Sequence, residues 1–361
     1  MPTIAVHDGD DEPGVGHVRL AGILKMECLL VGVVGNAHPT VAGNAQPTND
    51  DINPLPSLKA MQQPRRSFLD PKVLGRLAGI PLFARQPMQG AVSGRHQSPH
   101  RGSSVEFAEY REYVAGDDLR RLDWRAYGRS DRYYIKEFEA DTNLRCCLAL
   151  DTSGSMEFGS RGVTKIEYAR RIAGAIAYLA LLQGDAVGLT CIAGGVVRNI
   201  PPRRNPAHLS AVFDLLESAR PKGETHLPAA LDELAETVRQ RALVVIVSDL
   251  FVEPEALRRS FEHLRFRKHD VAVFHLLDPL ELEFDFRRPM RFVDLEGGSA
   301  IFAEPNVIAA RYLAAVREYL DRLKQIVLES AVDYHRVSLS DDYERVLARF
   351  LTGRTRGRGA R

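Results

Sequence analysis

Asp151, Ser153 and Ser155 occupy alternate positions in Asp151-Thr152-Ser153-Gly154-Ser155-Met156, where the apolar run from Leu144 to Leu150 ends. A carboxylate and two hydroxyls gathered in one tight turn offer hard oxygen donors to a small space. That set suits Mg²⁺ or Mn²⁺, and not zinc, which prefers thiolate and imidazole. The same residue types also cap helices, so the string alone leaves an ordinary N-cap open. Two further positions add to it. Asp249 follows the run Leu243 to Ser248, and Thr225 lies in Gly223-Glu224-Thr225-His226-Leu227, ahead of the segment starting at Pro228. If the two apolar runs are strands of one parallel sheet, both Asp and all three hydroxyls emerge at one sheet edge, where ligands of open α/β sheets bind. We predict a divalent-metal site at Asp151, Ser153, Ser155, Thr225 and Asp249.

Rival chemistry is thin. The chain has no GxxxxGK[ST] phosphate loop, no HExxH and no GxSxG,. His96 and His100 have a metal-like spacing but flank a Ser-Pro turn with no third ligand nearby, and His226 reads as a loop residue without a catalytic role. An Asp at a strand end could accept a phosphoryl group beside Mg²⁺, giving a phosphohydrolase. Enzymes of that kind carry a second Asp two positions on, and here Ser153 lacks the carboxylate for acid–base work. A third reading is nucleic-acid binding through Arg101 to Arg132, where Tyr110, Tyr113, Trp124 and Tyr127 could stack on bases. From Pro64 to Arg132 there are 13 Lys/Arg against 8 Asp/Glu. Those acids are interleaved with the bases, which favours internal pairing, and no nucleic-acid partner is expected.

The positioning elements follow from periodicity. Leu144–Leu150, Ala186–Ile192, Leu243–Ser248 and Val271–Leu277 read as buried strands, with Val196–Ile200 a hairpin partner and Tyr334–Ser338 a short strand. Helical spacing marks Lys165–Gln183, His208–Ser218, Pro228–Arg239, Glu255–Phe266, Val307–Val332 and Tyr343–Leu351, and an amphipathic stretch runs from Phe68 to Gly79,. Strands apolar on both faces and separated by helices imply an α/β fold with a mostly parallel sheet covered on each side.

At 361 residues the length suggests about two domains,. With 45% apolar residues, 26% charged residues and a formal charge of +1, the composition is that of a globular chain with a sizeable core; it excludes a wholly basic nucleic-acid footprint and an acidic tail protein,. Four Cys without a CxxC pair exclude a disulfide scaffold and fit a reducing compartment,. The apolar stretch from Cys28 to Gly35 falls far short of the ~20 residues of a helical span, and acids precede it; a cytoplasmic protein without a transmembrane segment is expected,. Residues 1–63 read as a disordered extension, 64–143 as a region packing on the main domain, 144–351 as that domain, and 352–361 as a solvated Arg/Gly tail,.

Specific strings surround the metal motif. They are Ser98-Pro99-His100-Arg101-Gly102, Tyr110-Arg111-Glu112-Tyr113, Gly116-Asp117-Asp118-Leu119-Arg120-Arg121-Leu122-Asp123-Trp124, Ser248-Asp249-Leu250 and His275-Leu276-Leu277-Asp278. In these the chain resembles the bacterial family called domain of unknown function 58, over about Gly90 to Leu351, with a von Willebrand factor A-like fold. The resemblance implies a metal-ion-dependent adhesion site in which Asp151, Ser153 and Ser155 hold the ion directly or through water. Thr225 would be a ligand in one conformational state, and Asp249 would act mostly through water. A remaining coordination position would accept a carboxylate from a partner protein. The resemblance also implies a non-enzymatic protein-binding module, an adaptor working with a MoxR-type AAA ATPase in maturation or assembly of other proteins. In one respect the chain departs from the pattern: Leu250 follows Asp249 where many A domains have Gly.

Overall fold

The computed structural model describes residues 16–20, 66–84, 106–112, 133–139, 144–296 and 300–356. In chain order these form β1 (Gly16–Leu20), α1 (Pro71–Leu77), β2 (Glu106–Glu112), β3 (Tyr134–Glu139), β4 (Arg145–Asp151), a short 3-10 helix (Gly154–Glu157), α2 (Lys165–Leu182), β5 (Ala186–Ile192), β6 (Val196–Arg203) and α3 (Pro206–Ser218). There follow α4 (Leu227–Thr237), β7 (Leu243–Ser248), α5 (Pro254–Phe266), β8 (Asp270–Leu277), α6 (Pro279–Glu283), β9 (Met290–Asp294), β10 (Ala300–Ala303), α7 (Pro305–Glu329), β11 (Asp333–Ser338) and α8 (Tyr343–Arg356).

The main sheet has six strands in the order β11-β8-β7-β4-β5-β6. All its neighbours pair in parallel except β6, which returns antiparallel to β5. Strands β5, β7 and β8 are buried along their whole length, and β4 from Cys146 onward. Side chains alternate between faces with period two, which splits the core in half. Cys146, Leu148, Leu150, Val245 and Val247 pack with α1, α2, α3 and α8. Cys147, Ala149, Val244 and Ile246 pack with α4, α5 and α7. This is the mostly parallel, doubly covered α/β architecture expected from the sequence.

Local chemistry sets the helix starts around the candidate site. Thr164 and Glu167 form a reciprocal capping box on α2, and Asp278 and Glu281 form another on α6,. A third apolar cluster, absent from the sequence reading, joins Phe158, Phe284, Phe292, Tyr312 and Val316. Its aromatic contacts, such as Phe284 to Tyr312 at 4.5 Å between ring centroids, fasten β9 beside the loop that follows β4.

Of the expected N-terminal extension, only the strand Gly16–Leu20 is described, and it runs parallel to β9. In the 64–143 region α1 packs through Val73, Leu74 and Leu77 into the first core half, while β2 and β3 pair antiparallel with each other. His96, His100 and most of the Arg101 to Arg132 segment lie outside the described residues. The solvated tail requires correction: α8 continues to Arg356, and Arg354 is fully buried. Its guanidinium meets Asp270 at 2.8 Å and Asp333 at 3.0 Å. Arg354 stands one helical turn beyond Phe350 and Leu351, so the buried helix face carries on through a charged residue that composition alone assigns to solvent,.

Candidate metal centre

Strands β4 and β7 lie side by side with Leu150 opposite Val247, so Asp151 and Ser248 emerge next to each other. The Ser248 hydroxyl donates to Asp151 Oδ2 at 2.6 Å, and the Ser153 backbone N–H donates to Oδ1 at 2.9 Å. The turn then brings the Ser153 and Ser155 hydroxyls to 3.0 Å from each other. The Asp249 carboxylate accepts from the Phe251 N–H at 3.4 Å, and Ser155 helps hold its pKa down. Two of the five expected donors, Ser153 and Ser155, are thus linked side chain to side chain, and Asp151 joins them through the Ser153 backbone.

Thr225 arrives by backbone. The Gly154 N–H donates to the Gly223 carbonyl at 2.8 Å, the Lys222 N–H to the Thr152 carbonyl at 2.9 Å, and the His226 N–H to the Ala193 carbonyl at 2.7 Å. The first two bonds tie the Thr225 loop to the turn after β4, and the third ties it to the residue after β5. The Thr225 Oγ1 is buried, and no hydrogen bond reaches it among the described residues. A buried hydroxyl left in that state costs about 1–3 kcal/mol unless something else coordinates it.

Sequence reasoning missed three residues. Lys165, in the first turn of α2, is fully buried; its ammonium lies 2.8 Å from Asp249 Oδ2 and 2.6 Å from Glu281 Oε1. The Phe251 ring lies 4.8 Å from the same nitrogen. A cation at the positive end of a helix is electrostatically misplaced unless anions meet it, and that was the available signal. Glu281 came from the α6 capping box, and Ser248 looked like the last residue of an apolar strand.

The charges do not close. Among the described residues, and with every group ionised, Asp151, Asp249 and Glu281 stand against Lys165, so acids outnumber bases in this buried cluster,. Burial, reinforced by Asp249, pushes the Asp151 carboxyl up to about 6. Burial likewise pushes Glu281 up to about 7 despite Lys165. Asp249, which burial alone would raise, is held below its usual value by Lys165, and the ammonium is held above its own by Asp249 and Glu281. A divalent cation would complete this account. The donors are all oxygen, the cluster holds more acids than bases, and Thr225 has a hydroxyl to offer, so the residues fit Mg²⁺ or Mn²⁺,. Among the described residues no group of three or more His, Cys, Asp or Glu could hold a metal; three of the five donors here are hydroxyls.

Residues 109–319 match the family model described as protein of unknown function DUF58. The chain belongs to this family. An uncharacterized protein of Mycobacterium tuberculosis is 29% identical over 232 residues, 63% of this chain and 73% of that one. Similar solved structures include the conserved hypothetical protein BatB from Bacteroides thetaiotaomicron, at 18% identity and TM-score 0.41, covering 59% of this chain and 100% of that one. A von Willebrand factor type A structure from Catenulispora acidiphila is 11% identical at TM-score 0.37, covering 62% of this chain and 44% of that one.

In this DUF58 chain the residue after Asp249 takes up the conformation that a glycine there would favour. Leu250 has φ 56°, in the left-handed region, which costs a non-glycine residue roughly 1–2 kcal/mol,. Contacts on every side hold it there. Its N–H donates to Ser248 Oγ at 2.9 Å, its carbonyl accepts from the Tyr319 hydroxyl, and its side chain is fully buried. The Asp249 loop therefore keeps its path without glycine. Among the described residues no helix is long and apolar enough to cross a membrane.

Proposed function

We propose that this chain is a non-enzymatic, divalent-metal-dependent protein-binding module acting in the cytoplasm, where buried unpaired Cys146, Cys147 and Cys191 are at home,. Asp151, Ser153, Ser155 and Thr225 would hold Mg²⁺ or Mn²⁺, and Asp249, tied to Lys165, would act through water. When bound, the cation supplies a positive centre able to accept a carboxylate oxygen from a partner. The chain's own residues do the preparatory work. Ser248 fixes the Asp151 carboxylate, Lys165 restrains Asp249, and the backbone bonds of Gly154 and Thr152 keep Thr225 in place. The observation that carries the reading is the buried cluster of excess negative charge with an unsatisfied Thr225 hydroxyl at its margin. Membership of the DUF58 family supports a MoxR-type AAA ATPase as the partner, through the family resemblance of the sequence.

The test is affinity capture on the full chain, followed by mass spectrometry, with Mg²⁺, with EDTA, and with Asp151→Ala. The proposal expects a MoxR-type ATPase or its client to be retained with Mg²⁺ and lost in the other two conditions. Retention indifferent to both would overturn the metal contact. A p-nitrophenyl phosphate assay with Mg²⁺ covers the enzymatic rival, and turnover lost in Asp151→Asn would replace this reading with a phosphohydrolase.

A further inference from the structure

All five donors are closed off from solvent: Asp151, Ser153 and Asp249 are 0% exposed, Ser155 1% and Thr225 7%. A partner carboxylate has no open approach to such a set. One segment packs directly on the turn that carries three of the donors. A Cβ placed on Gly154, at the centre of the turn, would fall 2.2 Å from the Leu295 carbonyl oxygen and 2.9 Å from its carbon. Leu295 lies just past β9, so its backbone rests directly on the backbone of the turn. Glu296 beside it is buried, and its N–H donates to Asp294 Oδ1 at 2.9 Å. Phe292, in the same strand, shares an apolar cluster with Phe158, which follows the 3-10 helix of the turn.

We propose that the segment from Asp294 to Glu296 is a built-in cover over the candidate metal turn, an autoinhibitory contact that a binding partner must displace. This rests on the reading above for its purpose, while the cover itself is a matter of packing and is testable without metal. Gly154 is required because any side chain at that position meets Leu295 backbone, which cannot rotate aside as a side chain can. The anchor and the cover are separable. Phe292 stays packed in its cluster, while the few residues beyond it need only swing away. The cover therefore opens with β9 giving up only its last residue, Asp294, which pairs with Leu20.

Two variants of the full chain test it. Val293 and Ala300 are directly paired, so residues 294–299 can be replaced by Asn-Gly, a two-residue turn of the type that joins paired strands,. Gly154→Ala displaces the cover by clash and keeps every donor side chain in the sequence, while its Cβ also comes within 3.3 Å of the Gly223 carbonyl beside Thr225. Hydrogen exchange of the peptide 151–157 reads the result. The proposal expects exchange to rise by at least about tenfold in both variants, as protection by a local contact is lost. Unchanged exchange in the shortened hairpin, with the fold retained by circular dichroism, would overturn it. Mn²⁺ with water proton relaxation forms the second arm. Bound Mn²⁺ should gain relaxivity in the shortened hairpin, and equal relaxivity in both proteins would also count against a cover. If neither protein binds Mn²⁺ while exchange still rises, the metal reading fails and the cover stands.

Discussion

Replacing Lys165 with Met removes the one cation that, among the described residues, pairs with Asp249 and Glu281, while keeping an unbranched side chain of similar length. Both carboxylates are buried, and neither can turn to solvent. Removing one partner of a buried pair costs about 3–5 kcal/mol, because the remaining charge is uncompensated. The lower end applies here, since Glu281 already sits at about 7 and can take a proton near neutral pH. The cost then falls on Asp249, whose low value depends on the ammonium. A loss of about 3 kcal/mol lowers the Tm of a domain of this size by roughly 6–12 °C. Differential scanning fluorimetry of Lys165→Met in EDTA measures it directly. Saturating Mg²⁺ should recover more Tm in the variant than in the parent, because the ion meets a larger unbalanced charge. A loss below about 1 kcal/mol, typical of exposed pairs, would refute the buried-charge reasoning. So would an equal Mg²⁺ response in the two proteins.

Thr225→Val replaces a buried hydroxyl without a partner by a methyl of equal size, so metal-free stability should hold or rise by up to about 1 kcal/mol, while Mn²⁺ affinity should fall at least about tenfold, as calorimetry can show,. Arg354→Met removes the buried guanidinium that meets Asp270 and Asp333 and should cost about 3 kcal/mol in urea unfolding, although basic composition assigns the residue to solvent,. His263 of α5 lies 3.0 Å from Asp232 and 2.8 Å from Glu236 of α4, and hydrogen bonds to these two, Asp232 first, raise its pKa. Its contribution is therefore fully present below the unfolded value of about 6.5 and is lost as pH rises through the folded value. In His263→Gln, denaturant midpoints across that window should lose this downward slope with pH.

The strands around the site were legible because burial on both faces leaves an unbroken apolar text, and β5 and β7 begin and end where that text does. The position of the five candidate donors at one edge of the sheet was legible from their place after strands and ahead of helices. Lys165 was hidden because a lysine at a helix start reads as solvated; only three-dimensional proximity reveals the two carboxylates from distant loops. The cover was hidden for a different reason. Its contact is backbone on backbone, Leu295 on Gly154, and no side-chain pattern encodes it. Short strands such as β9 and β10, five and four residues long, carry too little periodicity to be recognised. Arg354 shows the converse error, in which basic composition was taken for exposure.

Titrating Mn²⁺ into the full chain, followed by electron paramagnetic resonance and calorimetry, addresses the central claim. One ion per chain should bind in the parent, and binding should disappear in Asp151→Ala. Silence up to millimolar Mn²⁺ in the parent, or identical binding in Asp151→Ala, would contradict a metal centre built on these residues.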